Sequence, residues 1–307
     1  MKNTHLHHPE DSILTGDLSV LKWFTSKGKL SVKIDGSPAI VWGTNPATGN
    51  FFVGTKSVFN KIKIMINESH DDIEKNHGHI RKVAHILHAC FNNLPKTDKI
   101  YQGDFVGYGG DNVFQPNTIA YAFPYIIDKE IIIAPHTEYT IPEFGYTQQE
   151  KGDLRHAVAH PVKFPMQCTY EIDTSSVYWF KPWVEIDEHL DDIEDICDFA
   201  RVISGAVDFA TVNEAKNIMK KVNCRISEGI PIIPEEFDNP NLMRLWLLVK
   251  SIKDDLMQYI GVDEEVECYI HGEEVGHEGI VMTNEFGTFK LIDREIFSRA
   301  NFNRTRV

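Results

Sequence analysis

Lys33, Asp35 and Gly36 stand in the run Lys33-Ile34-Asp35-Gly36 at the end of an apolar, strand-like segment, so a primary amine is held on a rigid element with an Asp-Gly turn directly behind it. A lysine so placed becomes a nucleophile when desolvation or neighbouring cations disfavour its ammonium form. Far downstream, His277-Glu278-Gly279-Ile280-Val281 carries a carboxylate on a strand-like run. Across a short hairpin turn, Phe289-Lys290-Leu291-Ile292-Asp293 carries a second lysine. Between these lies Tyr101-Gln102-Gly103-Asp104-Phe105-Val106-Gly107, a strand with a carboxylate between two glycines. A solitary Lys-x-Asp-Gly is a weak signal, because Asp-Gly turns are common. The ordered set of four is a stronger one.

In this order and at these separations the set resembles the covalent nucleotidyltransferase superfamily of ATP-dependent DNA ligases, RNA ligases and mRNA capping enzymes. The family's KxDG motif falls on Lys33 to Gly36, its EGIV motif on Glu278 to Val281, and its final lysine motif, in part, on Lys290. The resemblance implies that Lys33 attacks the α-phosphate of ATP, expelling pyrophosphate and leaving AMP on a phosphoramidate. Lys290 would contact that phosphate, where charge accumulates in the transition state, and would help keep the Lys33 amine neutral. Glu278 would hold Mg²⁺, a hard cation that favours carboxylate and water oxygens. Asp104 stands where the family has a glutamate contacting the ribose, and Asp35 and Gly36 would shape the turn beside the nucleotide. Carried over more loosely are Lys56 of Gly-Thr-Lys-Ser, expected on a strand where the family has an arginine, and Phe123, preferred to Tyr121 as the ring stacking on adenine. Two departures shift the resemblance toward RNA ligases or an atypical phage-type ligase. Ile292 replaces the second lysine of the last motif, and the short stretch after Lys290 leads us to expect no C-terminal OB-fold.

These residues must be positioned by strands. KLSVKIDGSPAIVWG and FFVGTKSVF flank an Asn-Pro and Thr-Gly-Asn turn and predict a β-hairpin. Residues 67–92 have helical spacing in their second half, and KIYQGDFVGYGGD, TIAYAFPYIID and EIIIAPHTEYT return to strand-like runs. Residues 186–260 have apolar positions three and four apart, and strands follow. The expectation is therefore an α+β fold: a ligase-type core of two packed antiparallel sheets with flanking helices over residues 1–185 and 261–307, interrupted by a helical insertion at 186–260. The core architecture is partly taken from the resemblance.

Composition bounds the function. No apolar run approaches the roughly 18 residues of a membrane span, and the polar start lacks the apolar stretch of a secretory signal. Five scattered cysteines show no zinc-like spacing, so a cytoplasmic protein with reduced thiols is expected, in the host cytoplasm if the source is a phage. The net charge of −14 argues against non-specific coating of nucleic acid. Charge is nevertheless segregated. The acidic helical stretch could meet a basic protein partner, and Arg294, Arg299, Arg304 and Arg306 form a basic tail that could contact phosphates. His5, His7 and His8 read as a mobile polar tail, and His77, His79, His85 and His88 as surface and packing residues rather than metal ligands.

The function expected is ATP-dependent polynucleotide ligation with Mg²⁺, on RNA more than DNA, joining a 5′-phosphate to a 3′-hydroxyl with no membrane involvement. Alternatives are a capping-type guanylyltransferase using GTP and a non-catalytic nucleotide-binding or structural protein.

Overall fold

The computed structural model of the chain describes residues 6–141, 147, 150, 152–161, 176–179, 183–185, 191–260, 266–276 and 278–302. It shows a mixed α+β protein with several antiparallel sheets. In chain order the elements are α1 (Pro9–Ser12), α2 (Ser19–Thr25), β1 (Lys29–Val32), β2 (Ala39–Thr44), β3 (Phe51–Gly54), α3 (His70–His77), α4 (Arg81–Asn93), β4 (Ile100–Tyr108), β5 (Val113–Phe114), β6 (Ile119–Ala122), β7 (Ile131–Thr140) and β8 (Val158–Pro161). There follow β9 (Val177–Trp179), β10 (Trp183–Glu185), α5 (Asp191–Ser204), α6 (Val212–Glu228), α7 (Pro240–Tyr259), β11 (Glu267–Ile270), β12 (Glu273–Gly276), β13 (Ile280–Asn284), β14 (Gly287–Leu291) and α8 (Arg299–Phe302). The chain divides into two compact units. The first is centred on Ile34–Trp183 with Glu265–Tyr269; the second gathers Thr4–Lys33, Val184–Glu264 and Ile270–Val307.

The first unit is built on a sheet of order β3-β2-β4-β7-β8, antiparallel throughout, with β9 added parallel to β7. β2 and β3 form the hairpin expected from the Asn-Pro and Thr-Gly-Asn turn, where the Asn45 amide donates to the Asn50 carbonyl at 2.8 Å. Alternation along the strands sends Ile40, Trp42, Tyr101, Phe105 and Ile133 to one face, which α3 and α4 cover with Ile73, Leu87 and Cys90. Val41, Phe52, Ile100 and Tyr139 pack on the other face with Val58. Where the sequence suggested a single helix, there are two. Ser69 caps α3 by accepting from the Asp72 amide at 3.1 Å, the chain breaks at Gly78, and α4 restarts at Arg81.

The second unit has a sheet of order β10-β1-β13-β14 and the helices α5, α6 and α7. α6 begins in a reciprocal capping box between Thr211 and Glu214 and ends at Gly229, whose φ of 70° is the left-handed C-cap conformation. α7 starts with an Asn239 cap and Pro240 in its first turn. Its Leu245, Trp246, Val249 and Ile252 join Trp23 and Leu21 of α2 and the sheet residues Leu30, Ile280, Met282 and Leu291 in one core. Each such side chain stabilises the unit by about 1.5–3 kcal/mol.

Two sequence expectations are corrected here. His8 belongs to no polar tail: it is buried, and the His7 carbonyl accepts from the Lys290 amide at 3.1 Å, tying this segment to β14. Arg294 belongs to no phosphate-binding tail either. It is buried, and its guanidinium donates to Asp11 at 2.7 Å, Glu10 at 3.2 Å and Asn223 at 2.8 Å. Lys253, also buried, completes the cluster at 3.1 Å from Glu10. Arg304 and Arg306 lie outside the described residues, as does His5.

Candidate active site

Register places the chemistry of the second unit. β1 pairs with β13 so that Ser31 lies opposite Val281 and Val32 opposite Ile280, and the Lys33 amide donates to the Gly279 carbonyl at 2.8 Å. β14 pairs with β13 so that Lys290 lies opposite Val281. Ser31, Val281 and Lys290 therefore form one cross-strand row, and Lys33, two residues beyond Ser31, falls on the same face as Lys290. The opposite face carries Leu30, Ile280, Met282 and Leu291 into the helical core. Helices cover the apolar side of the sheet, and the two lysines hold the other.

Glu278 comes immediately before the Gly279 position that β1 reaches. Its carboxylate is 2% exposed and accepts a short hydrogen bond from Lys33 Nζ. The next residue can only be glycine: its φ is +140°, and a Cβ there would overlap the Leu291 carbonyl oxygen. That close approach of β13 to β14 sets Glu278 at the end of the strand. His8 lies in the same unit, with its Nδ1 buried, 3.9 Å from Glu10 Oε1 and without a hydrogen-bond partner among the described residues. Burial first, then the cationic Arg294, Lys290, Lys253 and Lys33, hold its imidazole neutral, far below the usual histidine range.

The first unit brings Asp35, Gly36 and Asp104 together. The Ser37 amide donates to the Phe105 carbonyl at 2.8 Å, and the Phe105 amide returns to Pro38 at 3.1 Å, which lays the turn after Gly36 against β4. A Cβ at Gly36 would overlap the Phe105 carbonyl and lie 2.9 Å from the Asp104 Cβ, so glycine is required by proximity. The backbone of Asp35 is clamped: its amide donates to the Tyr121 hydroxyl at 2.9 Å, and its carbonyl accepts from Asn117 at 2.8 Å. Asp104 projects from the face of β4 opposite Phe105, 3.8 Å from His136 Nε2 on β7. On that face Gln102 is buried and its carbonyl oxygen accepts from the Tyr139 hydroxyl at 2.8 Å.

One expected position, Lys56, differs from its reading. Lys56 is exposed and opens a short helical turn, 56–59, after β3, because Thr55 caps that turn by accepting from the Ser57 amide and so ends the strand. Phe123 follows β6 directly and is buried edge-on against Phe114 at 5.7 Å, while Tyr121, the ring passed over, is the one that grips Asp35. Sequence reasoning also missed Gln102 and His136, and it gave His8 and Tyr121 no place in the site. Gln102 left a trace, as a second polar residue beside Asp104 in a strand that is otherwise largely apolar.

A lysine with a buried carboxylate at its amine, and a second lysine on the same sheet face as the first, can perform nucleophilic substitution at an electrophile of high negative charge, given a proton acceptor beside the amine. The Glu278 carboxylate is also a suitable donor for a hard divalent cation, which commonly takes one or two protein carboxylates and completes its shell with phosphate and water. The chain matches no curated protein and no solved structure. A family profile does match it over residues 3–238 and 199–306, and the chain accordingly belongs to DUF6267, a family of unknown function.

Proposed function

We propose that this protein is an ATP-dependent polynucleotide ligase acting through a covalent lysyl-AMP intermediate, with RNA favoured over DNA. The observation that carries the reading is the hydrogen bond between Lys33 and buried Glu278, residues 245 apart in sequence that belong to the first and third members of the ordered set of four. In the first step the Lys33 amine forms a bond to the α-phosphorus of ATP while the bond to the β-phosphate oxygen breaks and pyrophosphate leaves. The amine proton has an acceptor in Glu278 Oε1. Lys290, on the same sheet face, stabilises charge on the α-phosphate. A bound Mg²⁺ would neutralise phosphate charge, and Glu278 is the carboxylate suited to hold it. AMP then passes from Lys33 to a 5′-phosphate, and a 3′-hydroxyl displaces it. Asp104 is assigned to the ribose and Phe123 to the adenine by the resemblance, Asp35 and Gly36 to the turn beside the nucleotide. Lys56, exposed on its helical turn, is left as a contact to a nucleic-acid phosphate.

The test is intact-mass spectrometry of the full chain with ATP or GTP and Mg²⁺, alongside Lys33→Ala. An AMP adduct mapped to Lys33 and absent from the variant is expected. A GMP adduct moves the reading to a capping-type guanylyltransferase, and no adduct from either nucleotide, with none present from expression, moves it to a non-catalytic binding protein.

A further inference from the structure

Within the first unit, on the face of the sheet away from Asp104, a cavity of about 650 Å³ opens between α4, the end of β4 and β5. Its volume is in the range of small-ligand sites. Phe105, Tyr108 and Phe114 line it from the sheet side, and Arg81, Lys82 and His85 from α4. Tyr108 makes T-shaped contacts with Phe105 at 5.1 Å and His85 at 5.6 Å, which fix the ring, yet it stays 40% exposed. An aromatic ring held this firmly and left this open is a stacking surface. The charge of the lining runs against that of the molecule. In a chain of net charge −14, this mouth carries Arg81 and Lys82, and its one carboxylate, Glu74, is engaged by His88 at 2.8 Å and Arg81 at 3.8 Å.

We infer that this cavity binds one nucleotide of a single-stranded polynucleotide, its base stacked on Tyr108 and its phosphate at Arg81 and Lys82. The choice of a polynucleotide rests on the ligation reading; the pairing of ring and cations rests on the cavity itself. An acidic peptide would satisfy the two cations but has no use for the ring. Placed on the other side of the sheet from Asp104, the site serves to hold a substrate strand and takes no part in bond making.

Fluorescence anisotropy of the full chain with a labelled single-stranded oligouridylate tests this, with lysyl-AMP formation followed by mass in the same preparations. Tyr108→Ala should weaken binding about tenfold or more, and Tyr108→Phe should bind like the parent. Removing the bases from the strand should cost as much as Tyr108→Ala. Arg81→Glu with Lys82→Glu should weaken binding and flatten its salt dependence. None of these variants should alter the adduct. No strand binding by the parent, equal binding by Tyr108→Ala, equal binding of the abasic strand, or displacement by polyglutamate as effective as by oligouridylate would each overturn the inference. An adduct with Tyr108-independent binding leaves ligation standing and removes this site; Tyr108-dependent binding without an adduct does the reverse.

Discussion

Glu278 is asked to do two things with one carboxylate. It neutralises Lys33, and in the proposed reaction it receives the lysine proton or turns to a cation. Glu278→Gln keeps the size and removes both abilities, so the AMP adduct should fall below detection by intact mass. In the proposed reaction Lys290→Ala removes a stabiliser of transition-state charge and leaves Lys33 in place; the rate of adduct formation in rapid-quench experiments should fall by about 10²–10³-fold. His8 makes a different kind of statement. Its folded-state pKa lies far below that of the unfolded chain, so the unfolded state binds the additional proton as pH falls through the ordinary histidine range near 6.5. The neutral imidazole's share of stability is therefore present above that range and is lost below it. Urea denaturation at pH 7.5 and 5.5 should show a loss of about 1.4 kcal/mol from this group, and His8→Gln should show a correspondingly smaller drop between the same two pH values.

At the scale of elements, strands in register explain why the lysine motifs could be read from sequence. A strand ending in Lys-x-Asp-Gly and a hairpin bearing Glu-Gly and Lys announce themselves by alternation and turn residues, and the antiparallel pairing of β1 with β13 does the rest. What stayed hidden depends on partners remote in the chain. Nothing near His8 or Arg294 in sequence tells that Glu10 and Lys253, 243 residues apart, will close a buried cluster around them. Lys56 was misread because Thr55 uses its side chain as a cap, a choice that the surrounding apolar pattern does not reveal. Tyr121 and Phe123 present the same aromatic chemistry in sequence, and only the packing of β5 on β6 tells which ring faces Asp35. The Gly279 backbone offers a sharp test: Gly279→Ala forces a Cβ against Leu291 at a φ that L-residues avoid, and should both destabilise the fold and abolish the adduct. Circular dichroism and mass spectrometry would read the two. Thr211→Ala, which only opens the capping box of α6, should cost about 1 kcal/mol in urea denaturation and leave the adduct intact.

For the whole molecule, the acidic net charge and the buried ionic cluster of the second unit belong to one pattern. The chain has an acidic excess of 45 carboxylates over 31 Lys and Arg, and the cations Lys253 and Arg294 are drawn inside to meet Glu10 and Asp11. Buried pairs of this kind contribute little over a well-packed apolar substitute, but an orphaned member is costly. Glu10→Ala should therefore destabilise the protein by about 3–5 kcal/mol in chemical denaturation, and Glu10→Leu combined with Lys253→Met should recover part of that loss. The second unit is also made from three separate stretches of chain, with Lys33 at the end of the first and its carboxylate partner Glu278 in the last. This has a consequence for biosynthesis. Lys33 leaves the ribosome long before Glu278, β13 or β14 exists, so β1 waits through most of translation for β13, one of the two strands it pairs with. A copy whose synthesis stops short of Glu278 holds Lys33 without the carboxylate and the second lysine that the proposed reaction sets beside it. On the proposed reading, attachment of a nucleotide to Lys33 therefore waits until β13 and β14 have been made and have paired with one another and with β1.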